Sequence, residues 1–161
     1  MFQIKLKMLE KKLKMKKVIS VNNIAETEKF AFELGKELVK DDIILFNGDL
    51  GTGKTVISKA LCKYFGVSDT VISPTFNILK IYNTNHNSIK QILHFDLYRI
   101  KDENELINLG FYDYLASEDS LILIEWPEFA YKLIDRPYYN VKIFRDNNDS
   151  NKRMIEYEKN E

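Results

Sequence analysis

The sequence is short of cysteine, of long apolar stretches and of net charge, and each shortage excludes a class of protein. Its one cysteine, Cys62, excludes an intrachain disulfide and fits a reducing compartment. Its longest apolar runs, such as residues 121–124, are too short to span a membrane. Its 24 basic and 24 acidic residues balance, whereas a protein that coats nucleic acid is strongly basic. We therefore expect a cytoplasmic protein that meets nucleic acid, if at all, through a partner.

The first 17 residues differ in composition from the rest of the chain. They carry seven lysines against a single acid, Glu10, and lack the apolar stretch of a secretory signal. We predict that residues 1–17 are a disordered basic extension, or that Met15 is the true start; an arm that touches RNA is the less favoured alternative. The other residues, 18–161, have the length of one domain.

The apolar pattern of these residues predicts alternating strands and helices. The continuous apolar runs 43–46 and 121–124 are typical of strands buried on both faces. Apolar residues recur at helical spacing in 24–39 and 53–65. Further strands are predicted at 18–21, 70–72, 78–82, 89–97, 139–145 and 153–158, with short helices at 102–110 and 111–116. The last four of these strands read as two hairpins. The pattern predicts an α/β domain with a mostly parallel central sheet and antiparallel strands added to it.

A phosphate-binding loop follows the first buried strand. The segment Gly48-Asp49-Leu50-Gly51-Thr52-Gly53-Lys54-Thr55 fits the pattern G-x-x-x-x-G-K-[ST] and opens an amphipathic helix. Glycines let successive backbone N–H groups point at phosphate oxygens, and the helix N-terminus adds its positive dipole end. We predict that these eight residues bind the phosphates of ATP. Lys54 would neutralise the phosphate charge as a solvent-facing ammonium group, and the Thr55 hydroxyl would ligate Mg²⁺.

Two acids end apolar strands and are candidates for the metal site of such a protein. They are Asp96, in Ile-Leu-His-Phe-Asp, and Glu125, in Leu-Ile-Leu-Ile-Glu. Either one alone is more commonly a solvated strand end. Since a phosphate loop needs an acid at the end of a core strand, at least one of them is expected to hold or orient Mg²⁺.

Four blocks of sequence together resemble the TsaE (YjeE-type) family, the bacterial ATPases of tRNA threonylcarbamoyladenosine biosynthesis. The blocks are residues 48–55, Ser73-Pro-Thr-Phe76, His94-Phe-Asp-Leu-Tyr-Arg99 and Glu125-Trp126, in the family's order and approximate spacing. The resemblance runs from about Val18 to about Tyr157. The phosphate loop alone would suit many families, but the four blocks together are specific.

The resemblance implies a P-loop NTPase-like three-layer domain and roles for particular residues. Lys54 and Asp96 would be catalytic, and Thr55 with Glu125 would hold Mg²⁺. Trp126 would lie near the nucleotide.

Three further implications of the resemblance concern residues outside the loop and the acids. The segment Ser73–Phe76 would be a switch that senses the γ-phosphate, and Thr27 and Arg153 would touch the nucleotide. Thr52 departs from the family's usual alanine, and Lys59 from a frequent arginine; neither change removes a catalytic group.

The resemblance also implies a slow ATPase that serves the TsaD–TsaB pair and meets tRNA only through that pair. A small-molecule P-loop kinase and a nucleotide-gated binding module that does not hydrolyse ATP are the alternatives. Between the predicted helices we find no arginine-rich segment of the kind that forms a kinase lid.

Two residues of the third block have competing interpretations. His94 shares a strand face with Asp96 and is either a structural histidine or a general base. Arg99 either forms a salt bridge to a nearby acid or acts as a charge-stabilising finger.

Overall fold

In the computed structural model, residues 16–160 are described, and their strands form a single seven-stranded sheet. The elements in chain order are β1 (Lys17–Val21), α1 (Ile24–Glu37), β2 (Ile43–Asn47), α2 (Lys54–Tyr64), β3 (Leu79–Asn83), β4 (Gln91–Asp96), α3 (Glu103–Asn108), α4 (Phe111–Leu115), β5 (Ser120–Glu125), a 3₁₀ turn (Tyr131–Leu133), β6 (Tyr138–Arg145) and β7 (Arg153–Asn160).

The strand order is β1-β7-β6-β2-β5-β4-β3. The four central strands, β6, β2, β5 and β4, run parallel, whereas β1 and β7 at one edge and β3 at the other pair antiparallel to their neighbours. The predicted mostly parallel sheet with antiparallel additions is confirmed, as are both hairpins. In register, Glu125 lies opposite Phe46 on one side and Asp96 on the other. The carboxyl ends of the central strands therefore meet at one edge of the sheet.

Helices cover both faces of the sheet and complete the three layers expected. Alternate residues of β2 point to opposite faces, so Ile44 and Phe46 pack with α1 and α2, whereas Ile43 and Leu45 pack with α3, α4 and the 3₁₀ turn. Every residue of β5 is buried, which explains why its sequence lacks alternation.

The helix that follows the phosphate loop begins without a side-chain cap. Its N-cap is Gly53, in the left-handed region with φ 114°, and no side chain of residues 16–160 bonds to the helix's first N–H groups. By contrast, Asn23 caps α1 by accepting a hydrogen bond from the backbone N–H of Glu26 at 2.9 Å. Within residues 16–160, no helix has both the length and the apolar character needed to cross a membrane.

The predicted strand at residues 70–72 is wrong. These residues form no ladder with another strand; instead, the Tyr82 hydroxyl donates to the carbonyl oxygen of Ile72 and accepts from its N–H, both at 3.2 Å. The β-branched run Thr-Val-Ile favours extended backbone, but a strand also needs a neighbour with free N–H and C=O groups.

The boundary predicted at the N-terminus also shifts slightly. β1 begins at Lys17, inside the range assigned to the basic extension, because Lys17 pairs with Tyr157 on β7. The predicted disorder of residues 1–15 lies outside the described residues.

Candidate functional site

The loop between β2 and α2 has backbone conformations that only glycine adopts without strain. Gly48, Gly51 and Gly53 have φ values of 146°, 73° and 114°. A Cβ on Gly48 would lie 2.5 Å from the carbonyl oxygen of Ile143 and 2.8 Å from the hydroxyl of Thr52. The loop is therefore packed tightly against β6, while its far end opens α2 with uncapped N–H groups that favour an anion.

Lys54 is enclosed by the loop rather than facing solvent, which corrects the expectation from sequence. Only 5% of the residue is exposed, and its ammonium group donates to the carbonyl oxygens of Gly48 and, at 2.9 Å, Asp49. Burial lowers the pKa of Lys54, an effect that the negative charges of Glu125 and Asp96 oppose.

Glu125 is buried at the end of β5 and accepts hydrogen bonds from two directions. Its Oε2 accepts from the Thr55 hydroxyl at 2.9 Å, and its Oε1 accepts from the Ser58 hydroxyl at 3.1 Å. The Nε2 of His94, which is completely buried, lies 2.8 Å from Oε1. Hydrogen bonds replace the water that a buried carboxylate gives up.

Asp96, at the end of β4, binds residues 73–75 of the segment for which the family resemblance implies a switch role. Its Oδ2 accepts from the hydroxyls of Ser73 at 3.0 Å and Thr75 at 2.6 Å, and its Oδ1 accepts from the backbone N–H of Tyr98 at 3.1 Å. The conformation of residues 73–75 is thus coupled to this carboxylate.

The phosphate loop, both acids and the switch segment surround one cleft of about 280 Å³. Its lining consists of Leu50, Gly51, Gly53, Lys54, Thr55, Val56, Ser73, Thr75, Asp96, Glu125 and Trp126. The structure therefore brings together most of the residues predicted for the site, although they come from four separate stretches of the chain. Gly48, Asp49 and Thr52 belong to the same loop but are not among the lining residues.

The oxygen ligands in this cleft suit Mg²⁺, which needs few protein ligands, better than a metal ion that is coordinated entirely by protein side chains. Within residues 16–160, no three His, Cys, Asp or Glu side chains are grouped to hold a metal ion. Thr55 and Glu125 instead offer two oxygen ligands 2.9 Å apart. Mg²⁺ characteristically takes one or two protein oxygens and completes its shell with phosphate oxygens and water.

Thr27 and Arg153, predicted to touch the nucleotide, do not line the cleft. Thr27 is buried in the first turn of α1, where its hydroxyl donates to the carbonyl oxygen of Asn23 at 3.1 Å. Arg153 reaches the phosphate loop from β7, since its Nε donates to the carbonyl oxygen of Thr52 at 3.2 Å. Contact of either residue with a nucleotide remains a prediction.

Sequence reasoning missed Arg145, a second arginine that holds the loop. Its Nη2 donates to the carbonyl oxygen of Leu50 at 2.6 Å, and it stands opposite Arg153 in the β6–β7 hairpin. The predicted hairpin could have identified Arg145, because Arg145 and Arg153 flank its connection and such residues are paired across the two strands.

Arg99 does not form the salt bridge considered for it, and its role as a charge-stabilising finger stays a prediction. Its guanidinium lies 4.3 Å from the ring centroid of Phe76, whose exposure is 82%. Among the residues described, no carboxylate lies within 4.0 Å of Arg99. The arginine therefore packs on the far end of the switch segment rather than on an acid.

Comparison with known proteins shows that most of the chain is similar to one protein family. The family model described as threonylcarbamoyl adenosine biosynthesis protein TsaE matches residues 21–155. A tRNA threonylcarbamoyladenosine biosynthesis protein TsaE from Rickettsia typhi is 42% identical over 144 residues, which are 87% of this chain and 93% of the relative. One from Rickettsia felis is 41% identical over 138 residues, 85% of this chain and 77% of the relative. The crystal structure of YdiB from Bacillus subtilis superimposes with a TM-score of 0.68 at 25% identity, covering 89% and 86% of the two chains.

Proposed function

The chain belongs to the TsaE family of tRNA threonylcarbamoyladenosine biosynthesis proteins, and from that membership we propose that it binds ATP with Mg²⁺ and hydrolyses the ATP slowly for that pathway. The observation that carries the proposal is the convergence of Lys54, Thr55, Asp96 and Glu125 on one cleft beside the phosphate loop. The first two come from the loop's end and the acids from the ends of two central strands, an arrangement suited to phosphates and their metal.

Binding of ATP requires the ammonium of Lys54 to change partners. The loop carbonyls of Gly48 and Asp49 now accept its hydrogen bonds; a phosphate oxygen is a stronger acceptor because it is charged. Lys54 turns from these carbonyls toward the β- and γ-phosphates. The free N–H groups at the start of α2 bind the remaining phosphate oxygens.

Thr55 and Glu125 would hold the metal, and Asp96 would act on the attacking water. Bound Mg²⁺ supplies positive charge that stabilises the phosphate oxygens. Asp96 orients a water whose oxygen bonds to the γ-phosphorus while the bond from that phosphorus to the β,γ-bridging oxygen breaks, which yields ADP and inorganic phosphate. Asp96 now accepts hydrogen bonds from the hydroxyls of Ser73 and Thr75, and it gives up these bonds to accept one from the water. The switch segment therefore responds to occupancy of the γ-phosphate position.

The partners that we propose are homologues of TsaD and TsaB, with tRNA contacted only through them. Charge supports the second part. Seven of the 24 basic residues but one of the 24 acidic residues lie in the first 17 positions, so residues 18–161 carry 17 basic and 23 acidic residues and a formal net charge of −6. Such a domain repels a polyanion. Partners that bind one nucleotide state more tightly would let hydrolysis shift the balance between docked and released protein.

The deciding experiment measures inorganic phosphate release by the full chain, alone and with TsaD and TsaB homologues, with tRNA added last. We expect slow release alone, faster release with the partners, and an effect of tRNA only in their presence. Phosphoryl transfer to a small-molecule acceptor would instead identify a kinase. ATP binding without any phosphate release, alone or with partners, would identify a binding module.

Direct tRNA binding is tested by titration at increasing salt. We expect weak binding that disappears at moderate salt, because few phosphates are neutralised, and that is lost from a chain starting at Met15. Tight, salt-resistant binding by that shortened chain would contradict the proposal, as would partners that change neither turnover nor association in any nucleotide state.

A further inference from the structure

We propose that His94 and Ser58 are positioning residues that fix the carboxylate of Glu125 so that one of its oxygens faces the metal position. The inference rests on the proposed function, since it takes Glu125 and Thr55 as the protein ligands of Mg²⁺. It adds two residues that lie outside the cleft lining and that no residue pattern in the loop identifies.

The two oxygens of Glu125 have different surroundings. Oε2 accepts from the Thr55 hydroxyl at 2.9 Å, and both of these residues line the cleft. Oε1 accepts from Ser58 at 3.1 Å and lies 2.8 Å from Nε2 of His94, and both of these residues are 0% exposed. The Ser58 hydroxyl also lies 3.2 Å from the carbonyl oxygen of Lys54, so its one hydrogen is shared between this carbonyl and the charged carboxylate, which is the stronger acceptor. One oxygen is therefore anchored within the protein while the other is presented to the cleft.

The two anchoring groups stand on separate rigid elements. His94 lies on β4, the parallel neighbour of β5, two residues before Asp96 and on the same strand face. Ser58 lies on α2, three residues after Thr55 and therefore on the same helix face. A carboxylate held from a strand and from a helix cannot rotate without breaking both bonds, so the orientation of the ligand is set before the metal arrives.

The state of the imidazole supports a role directed at Glu125. A carboxylate oxygen only accepts, so Nε2 carries the hydrogen that it donates to Oε1. The other ring nitrogen, Nδ1, is buried without a hydrogen-bond partner among the residues described. An apolar side chain in this place would avoid the cost of an unpaired buried nitrogen. The bond to Glu125 is the contact that a histidine provides here and an apolar residue does not.

The test compares variants by the Mg²⁺ concentration needed to half-saturate nucleotide binding, and by nucleotide affinity in the presence of a chelator. His94→Leu and Ser58→Ala each remove one anchoring bond, and we expect the Mg²⁺ requirement to rise about 10- to 100-fold. Nucleotide affinity without metal should stay within about twofold of the original, because phosphate binding depends on the loop and not on these residues. His94→Gln, whose amide N–H₂ reaches a position similar to that of Nε2, should restore much of the Mg²⁺ affinity.

Ile92→Val is the matched control, because Ile92 is completely buried on the same strand and face but does not contact Glu125. It should lower stability modestly and leave the Mg²⁺ requirement unchanged. If His94→Leu does not fold, His94→Gln and Ser58→Ala still decide: Ser58→Ala must raise the Mg²⁺ requirement and His94→Gln must stay near the original.

Glu125→Gln distinguishes the proposed metal-ligand role of Glu125 from the proposed positioning role of His94 and Ser58. If it leaves the Mg²⁺ requirement unchanged, the assignment of the metal ligand in the proposed function fails. If it raises the requirement while His94→Leu and Ser58→Ala behave like the original, the positioning role alone is overturned. Equal losses of affinity with and without metal would also overturn it, since they would show a structural role only.

Discussion

The ammonium nitrogen of Lys54 lies 3.9 Å from the ring centroid of Trp126, the only tryptophan of the chain. Trp126 directly follows Glu125, has a left-handed backbone with φ 58°, and also packs against Tyr98 with ring centroids 4.9 Å apart. A cation over an indole face is attracted to it. The contact therefore joins the phosphate loop to the end of β5, and the proposed function requires it to change, because Lys54 would turn toward a phosphate.

The fluorescence of Trp126 should report nucleotide binding. Addition of ATP with Mg²⁺ moves a positive charge away from the indole face, so we expect a saturable change in emission intensity or wavelength. The titration should give the same dissociation constant as calorimetry. Lys54→Met should start from an altered spectrum and lose most of the response, whereas an unchanged response in that variant would separate the signal from Lys54.

Lys54→Met should weaken ATP binding strongly and abolish hydrolysis, since the charge that approaches the phosphates is lost. The chain should remain folded. Methionine keeps a flexible apolar stem, and the desolvation cost of the buried ammonium offsets the hydrogen bonds lost to Gly48 and Asp49, so we expect the free energy of unfolding to change by no more than about 2 kcal/mol. Calorimetry and denaturant unfolding measure the two effects. Lys59→Met, an exposed change on the same helix, is the control and should leave both unchanged.

The two acids should separate binding from chemistry. Glu125→Ala removes a metal ligand, so nucleotide binding should lose its dependence on Mg²⁺. Asp96→Asn keeps the shape of the side chain but loses the charge that orients water, so binding should persist while phosphate release slows. Asp135→Asn, an exposed acid outside the cleft, serves as the control. If both site variants kept normal Mg²⁺ dependence and turnover, neither acid would belong to the site.

Gly51→Ala should displace Arg145 from the phosphate loop. The added Cβ would lie 2.6 Å from Nη2 of Arg145, and φ at this position is 73°. We expect a loss of about 1–2 kcal/mol of stability from the left-handed backbone and, in addition, weaker ATP binding.

Gly110→Ala provides the matched control for this change, because its φ is 76° and its nearest contact, a carboxylate oxygen of Asp113, is 3.4 Å away. It should cost similar stability without any effect on ATP. In the Arg145→Ala background, Gly51→Ala should cost less, since the steric conflict is gone. Equal costs in the two backgrounds would show that Arg145 does not carry the effect.

The thiol of Cys62 should be unreactive while the chain is folded. Burial on α2 raises its pKa to about 12 from an ordinary value of 9.0. Ellman's reagent at pH 8 should therefore label the folded chain very slowly and the guanidinium-unfolded chain once per molecule. Rapid labelling of the folded chain would contradict the burial.

The same pKa shift gives a direction for stability at high pH. The unfolded thiol loses its proton above about pH 9 while the folded thiol keeps it, so the unfolded state binds fewer protons and stability falls as pH rises from 9 toward 12. Comparison with Cys62→Ala isolates this contribution, because the variant should lack only the thiol's part of the decline.

Features encoded in short stretches were predictable from the sequence. The phosphate loop is one local pattern of eight residues, and its glycines do take the left-handed conformations that the pattern requires. The strands β2 and β5 are recognisable in the sequence as continuous apolar runs, because both of their faces are covered. The two hairpins follow from apolar segments separated by a polar connection. In each case the residues that decide the structure are neighbours in the chain.

Contacts between distant residues were decided by the tertiary structure alone. Residues 70–72 have the composition of a strand but no partner strand, and pairing depends on what the fold places beside them. Arg145 meets Leu50, and Ser58 meets Glu125, across separations of 95 and 67 residues. The enclosure of Lys54 likewise depends on Trp126, 72 positions later in the chain. The sequence by itself determined which chemical groups are available and, residues 70–72 apart, which segments are strands, helices and loop. The folded sheet decided which groups touch, because only it brings the ends of β4 and β5 to the phosphate loop.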